Sequence, residues 1–131
     1  MVPDPRWSAR VLSILRITAG LLLLQYGLAK LFGWPAVPMF QGLPWLSLYG
    51  IAGMFELLGG TLLVIGLFTR PVAFILSGEM AAAYFIEHAP KSFFPMLNEG
   101  DFAVSLCFTL FYLAFAGGGA WSVDAMRHRI G

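Results

Sequence analysis

Four apolar stretches divide this sequence, each long enough to cross a bilayer once as a helix and too short to cross it twice. They run from about Val11 to Phe32, Trp45 to Phe68, Pro71 to His88 and Asp101 to Gly117. A spanning helix needs about 20 residues, with roughly 17–25 tolerated. Composition agrees: hydrophobic residues make up 59% of the chain and charged residues 11%, against roughly 45–50% and about 25% in a soluble domain. A soluble fold of 131 residues leaves too much surface exposed to hide that much apolar area. The reading is an all-α fold, an integral membrane four-helix bundle forming one domain over residues 1–131.

Local punctuation sets the boundaries. Gly33-Trp34-Pro35 and Pro38 stop the first helix and Pro44 opens the second,. Thr69-Arg70-Pro71 is a tight link, with proline in a first helical turn where its missing N–H does no harm,. Asn98 is placed to cap the fourth helix, with Asp101 three residues on, and Gly117-Gly118-Gly119 ends it,. With four spans both termini share a side with the Thr69–Pro71 link, and that side holds Arg6, Arg10, Arg70, Arg127 and Arg129. The opposite end has Lys30 and Lys91 among Glu87, Glu99 and Asp101. The positive-inside rule then puts both termini in the cytoplasm. Arg16 and Lys30 inside the first stretch, and the want of a small-x-small cleavage site, favour a retained helix over a signal peptide,.

Several function classes fall away. A formal charge of +1 without a basic block gives nucleic acid nothing to bind,. Cys107 is the single cysteine, so no internal disulfide, Cys-x-x-Cys pair or thiolate zinc site is possible,. His88 and His128 fall at opposite ends of the bundle, which argues against a heme held between them,. No nucleophile–base pair, phosphate loop or metal spacing is present, so no catalytic residue and no metal ligand is assigned.

Charges within the spans are the informative residues, because each costs about 2.5–3.5 kcal/mol at a helix centre even on the lenient insertion scale. Arg16, Gly20, Leu23, Gly27 and Lys30 form one stripe on the first helix, and Tyr49, Gly53, Glu56 and Gly60 form another on the second,. The glycines allow close helix approach. Counting along each span places Glu56 and Glu79 near the midplane, with Arg16 about 6 Å of helical rise from the centre of its helix. The expectation is that the Arg16 guanidinium bridges to Glu56 or Glu79, and that one of the two carboxylates then keeps a proton. Such a cluster serves either a proton relay or polar head-group site, or a structural lock for the helices. Gln25 is expected to hydrogen-bond a neighbouring helix. At the outer end Lys30, Glu87, His88, Asn98, Glu99 and Asp101 converge beneath loops rich in proline and aromatics. Those loops roof a pocket or form an interfacial belt.

The same residues resemble the signatures of the DoxX family. Arg16-x3-Gly20 with Tyr26-Gly27-x2-Lys30-Leu31 is similar to its first-helix motif, and Glu56-x2-Gly59-Gly60-x2-Leu63-x2-Gly66-x2-Thr69-Arg70 to its second. Asn98-Glu99-Gly100-Asp101 resembles its Asn-x-Gly-Glu approach to the last helix, with aspartate in place of glutamate. The run Gly117 to Asp124 resembles its Gly-x-Gly-x-Trp-Ser-Leu-Asp tail. The resemblance implies a small four-helix protein of a prokaryotic inner membrane. It also implies an association with quinol oxidase and thiosulfate:quinone systems, with thiol and oxidative-stress defence, or with quinone and catechol handling.

The combined expectation is a quinone-associated membrane subunit. Its head-group contacts are drawn from Arg16, Lys30, Glu56, Glu79, Asn98 and Asp101. Quinone is the expected non-covalent cofactor, and membrane lipid, a soluble or membrane oxidoreductase and a second copy of the chain are the expected partners. Two alternatives stand beside it: a non-catalytic scaffold for an oxidoreductase, and a proton-coupled carrier of a small lipophilic solute.

Overall fold

The structure is a computed structural model describing residues 4–130, with side chains through Arg127. Arg129, counted above toward the charge bias, and His128, weighed against a heme, lie outside the described side chains. Among the described residues the fold is all helical. Helix α1 spans Pro5–Phe32, α2 Leu48–Ile65 and α3 Thr69–Ala83, which runs on as a π-helical turn over Tyr84–His88. The short α4 is Pro95–Asn98, followed by α5 at Asp101–Ala116 and α6 at Val123–Ile130. A single 3-10 turn, Pro38–Phe40, interrupts the link between α1 and α2. Helices α1 and α2 are long and apolar enough to cross a membrane, and α5 is apolar but shorter.

Helix ends follow local chemistry. Asp4 caps α1 by accepting from the Arg6 N–H at 2.9 Å, with Pro5 at the first position,. Helix α2 stops earlier than the apolar pattern suggests, because Gly66 takes a left-handed φ of 75° and closes the helix onto Leu62,. Asn98 does not cap α5 as expected. It ends α4, and Gly100 stands at the N-cap position with Asn98 Oδ1 accepting the Gly100 N–H at 2.8 Å.

The helices pack chiefly as α1 against α2 and α3 against α5, with α2 joining α3. Glycine sets the first contact. A methyl on Gly27 would meet Leu57 N and Cα at 2.5 and 2.7 Å, so the two backbones touch there without room for a side chain,. Large residues lie outside instead: Leu58, Phe74, Phe108 and Phe115 are exposed. Small-inside and large-outside packing suits lipid surroundings, where the solvent is itself apolar. Gln25 is exposed too, rather than bonded to a neighbouring helix as expected.

At the end where α1 starts, α2 ends and α5 ends, the Gly117–Asp124 segment folds back over Arg16. Arg16 is 1% exposed and donates to the carbonyls of Gly118, Trp121 at 2.8 Å and, more distantly, Val64 at 3.4 Å. Ser13 Oγ accepts the Trp121 N–H at 2.9 Å and donates to the Gly118 carbonyl at 3.2 Å. Asp124 then caps α3 from a distance. Its carboxylate accepts from the N–H groups of Phe68 and Thr69 at 2.8 and 2.9 Å, where Phe68, with a left-handed φ of 53°, has no side-chain cap of its own,.

Burial pushes the Asp124 carboxyl up, but the Thr69 and Phe68 donors and the Arg127 charge outweigh it and hold the group below its ordinary 3.8,. A depressed folded pKa means that this stabilisation is complete above 3.8 and is lost as pH falls through the lower folded value,. Asp124→Asn should therefore cost about 1 kcal/mol near pH 7. Its deficit relative to the parent protein should shrink as pH drops below 3.8 in unfolding titrations. A deficit constant across that range would rule out the charged cap.

Candidate functional site

The opposite end of the structure holds a cavity of about 410 Å³ between α1, α2, the end of α3 and the start of α5. The antiparallel register of α1 and α2 builds its polar wall. Gly53 lies against Lys30, and Gly27 against Leu57, so the end of α1 stands opposite the middle of α2. Lys30 Nζ donates to both oxygens of Glu56, at 2.9 and 3.0 Å. The side chains of this ion pair are 11% and 2% exposed. Tyr26 and Phe40 place ring faces 5.8 and 5.4 Å from the ammonium, a cation–π arrangement in a desolvated setting,.

Glu79 of α3 joins this wall next to Glu56 and within the field of Lys30. Its Oε1 is buried without a hydrogen-bond partner. Glu56 holds the ion pair with Lys30, and Glu79 stands beside Glu56. An ammonium has three N–H donors and Glu56 receives bonds from Lys30 on both oxygens, which leaves donor capacity on Lys30 and acceptor capacity on Glu79 for a bound molecule.

The π-helical turn supplies the rim. The Ala89 N–H reaches back to the Tyr84 carbonyl at 2.9 Å, the wider i to i+5 closure of this geometry,. Glu87 accepts from the Tyr49 hydroxyl. His88 Nδ1 bonds the Asn98 carbonyl at 2.9 Å; a carbonyl can only accept, so Nδ1 carries the proton and a neutral ring keeps its lone pair on Nε2,. Glu87, His88, Lys91 and Glu99 all line the cavity.

Of the six residues expected to contact a ligand, three come together here: Lys30, Glu56 and Glu79. Arg16 does not. It lies at the far end on backbone carbonyls, and the expected bridge from its guanidinium to Glu56 or Glu79 is replaced by the Lys30 ion pair. Asn98 is fully buried but already engaged, donating to Tyr84 Oη at 3.1 Å and to the Ser92 carbonyl at 2.9 Å. It positions the rim and is not among the lining residues. Asp101 is exposed at the start of α5 and is not among the lining residues, although its neighbour Phe102 is. Phe40, from a loop expected to roof a pocket or form an interfacial belt, lines the cavity, as do Tyr26 and Tyr49, which were not expected as ligand contacts although Tyr49 shared a stripe with Glu56.

Comparison with known proteins bears on these motifs. The family model for DoxX matches residues 11–89, which carry both the Lys30–Glu56 pair and Glu79. The chain belongs to the DoxX family. An uncharacterised protein from Haemophilus influenzae is 38% identical over 117 residues, covering 86% of this chain and 87% of that one. No solved structure matches significantly. In this DoxX chain the matched region holds the cavity's polar wall, and the Gly117–Asp124 knot lies beyond it.

Proposed function

We propose that this protein is a four-helix inner-membrane subunit, termini in the cytoplasm, that binds the head group of a quinone-type lipid in the Lys30–Glu56–Glu79 cavity. One observation carries the reading: a mostly apolar cavity of about 410 Å³ with an ion pair and an unpartnered carboxylate oxygen at one place in its wall. That volume falls within the usual range for small-molecule sites, about 300–1,000 Å³, and apolar walls with a few polar groups are their usual construction. Lys30 offers a donor to a carbonyl oxygen, and Glu79 offers an acceptor or a proton to a hydroxyl. The cavity also reaches the outer surface between α2 and the π-helical turn, where Ile51, Phe55 and Ile86 are both lining and exposed. An isoprenoid tail can leave there into lipid while its head stays inside. A separate soluble or membrane oxidoreductase exchanges the electrons, and a second copy of the chain is a further candidate partner.

Protein purified in mild detergent should yield quinone on organic extraction and mass spectrometry. After stripping, it should rebind a short-chain ubiquinone analogue. Glu79→Gln leaves the Lys30–Glu56 pair in place and should weaken that rebinding by about tenfold, roughly the difference between a charge-assisted and a neutral hydrogen bond. Neither extracted nor rebound quinone would overturn the reading in favour of a non-catalytic scaffold whose buried charges only clamp helices.

A further inference from the structure

The charges at the two ends of this structure are separated by an apolar layer. The cavity floor includes Leu23 and Met80, and both belong to a core with Ala19, Leu63, Leu76, Leu106, Leu110 and Leu113. Leu23, Leu63, Leu110 and Leu113 are 0% exposed. Ser77, a hydroxyl at this level, is bonded to the Cys107 carbonyl at 2.8 Å. Past this layer Arg16 and the Gly117–Asp124 knot close the terminal end, with the Arg16 N–H groups on carbonyls of the knot. Arg16 and Lys30 stand fourteen residues apart on one helix, about 21 Å of rise.

The cavity is differently placed with respect to the other end. Lys91 and Glu99 are exposed and line it, so its polar rim meets solvent or head groups there. Water needs polar partners to occupy an interior, and close-packed leucines provide none.

We infer that the cavity opens to water only at the face opposite the chain termini, its side opening between α2 and the π-helical turn facing lipid, so that protons and any water-soluble reactant reach Glu56 and Glu79 from that face alone. The identity of the bound molecule rests on the quinone reading; the sidedness rests on the packing. Alternating access, which a carrier needs, would require a path opened through the leucine layer.

Substituted-cysteine labelling tests this. In a Cys107→Ser background, Ala52→Cys and Ala83→Cys place thiols on the cavity lining, and Leu63→Cys places one in the apolar layer. Two lining positions are used so that a poorly folding variant at one does not decide the matter. The variants are reconstituted in proteoliposomes, and protease release of a C-terminal tag reports orientation. A membrane-impermeant methanethiosulfonate reagent is then applied to one side at a time; it reacts with water-accessible thiolates. Both lining thiols should label from the side opposite the tag, with labelling lost when the reagent is confined to the tag side, and Leu63→Cys should stay unlabelled from either. Lining thiols labelled from the tag side, or from neither side, would overturn the inference. Protection by added decylubiquinone reports separately on the head-group reading: sided labelling without protection sinks that reading and leaves the sidedness standing.

Discussion

Removing both carboxylates, Glu56→Gln with Glu79→Gln, should lower the unfolding free energy by about 3–5 kcal/mol, because it strands the Lys30 ammonium without a counter-charge. The pair it breaks is nearly dry, with the Glu56 side chain 2% exposed and that of Lys30 11%. Glu56→Gln alone should cost less, since Glu79 stands within the same field and can turn to Lys30. Adding Lys30→Met to the double variant should restore most of the loss. The cost lies in an uncompensated buried charge, which Lys30→Met removes, while the two glutamine amides left behind can hydrogen-bond each other. Thermal and denaturant unfolding in detergent would measure this series. If the triple variant stays as unstable as the double, the loss comes from packing and not from a stranded charge.

That series also separates two roles of the same residues. A clamp predicts that stability returns with Lys30→Met and nothing else changes. A head-group site predicts that stability returns while quinone rebinding does not, because the ammonium and both ionisable carboxylates that meet the ligand oxygens are gone.

Much of this arrangement was legible in the residues. The apolar stretches located the four longer helices, and proline and glycine placed most of their ends within a few residues. The glycine stripes on α1 and α2 marked the faces that meet, and Lys30, Glu56 and Glu79 stood out as charges that hydrocarbon would not tolerate alone. The pairing of those charges was not legible, because depth within a span is a poorer guide than register between helices. Counting from span centres brings Arg16 near Glu56. The observed register, fixed where Gly27 meets Leu57 and Gly20 meets Gly60 and Val64, puts Lys30 there and leaves Arg16 about two turns past Leu23,. The acceptors that Arg16 uses were hidden for another reason. They are backbone carbonyls of a glycine-rich turn more than a hundred residues away, and a carbonyl has no letter of its own in a sequence. Asn98 misled in a similar way: a good capping residue was also the group best able to tie Tyr84, Ser92 and Gly100 together,.

Arg16→Met should release the C-terminal knot and leave the cavity intact. The substitution keeps an unbranched stem in a site that is 1% exposed, so it removes donors with little change in apolar filling,. The Trp121 carbonyl would lose its Arg16 donor, and the Gly118 carbonyl would keep only the Ser13 hydroxyl. At about 1–3 kcal/mol for a buried group left unsatisfied and about 1 kcal/mol for the bond lost at Gly118, the loss is about 2–4 kcal/mol. Arg16→Lys should recover only part of it, because one compact ammonium cannot span carbonyls that the planar guanidinium fork reaches from separate nitrogens. The effect should be local before it is global. Hydrogen exchange should quicken first at Ala120 and Asp124, whose N–H groups bond Ala9 and Gly66 in the knot at 3.1 and 2.9 Å,. Quinone rebinding at the far end should stay within twofold of the parent protein, given about 21 Å of helix and the leucine layer between Arg16 and Lys30. Rebinding that fell with Arg16→Met while the knot amides stayed protected would return Arg16 to the ligand site, and would require a register of α1 against α2 different from the one Gly27 sets here.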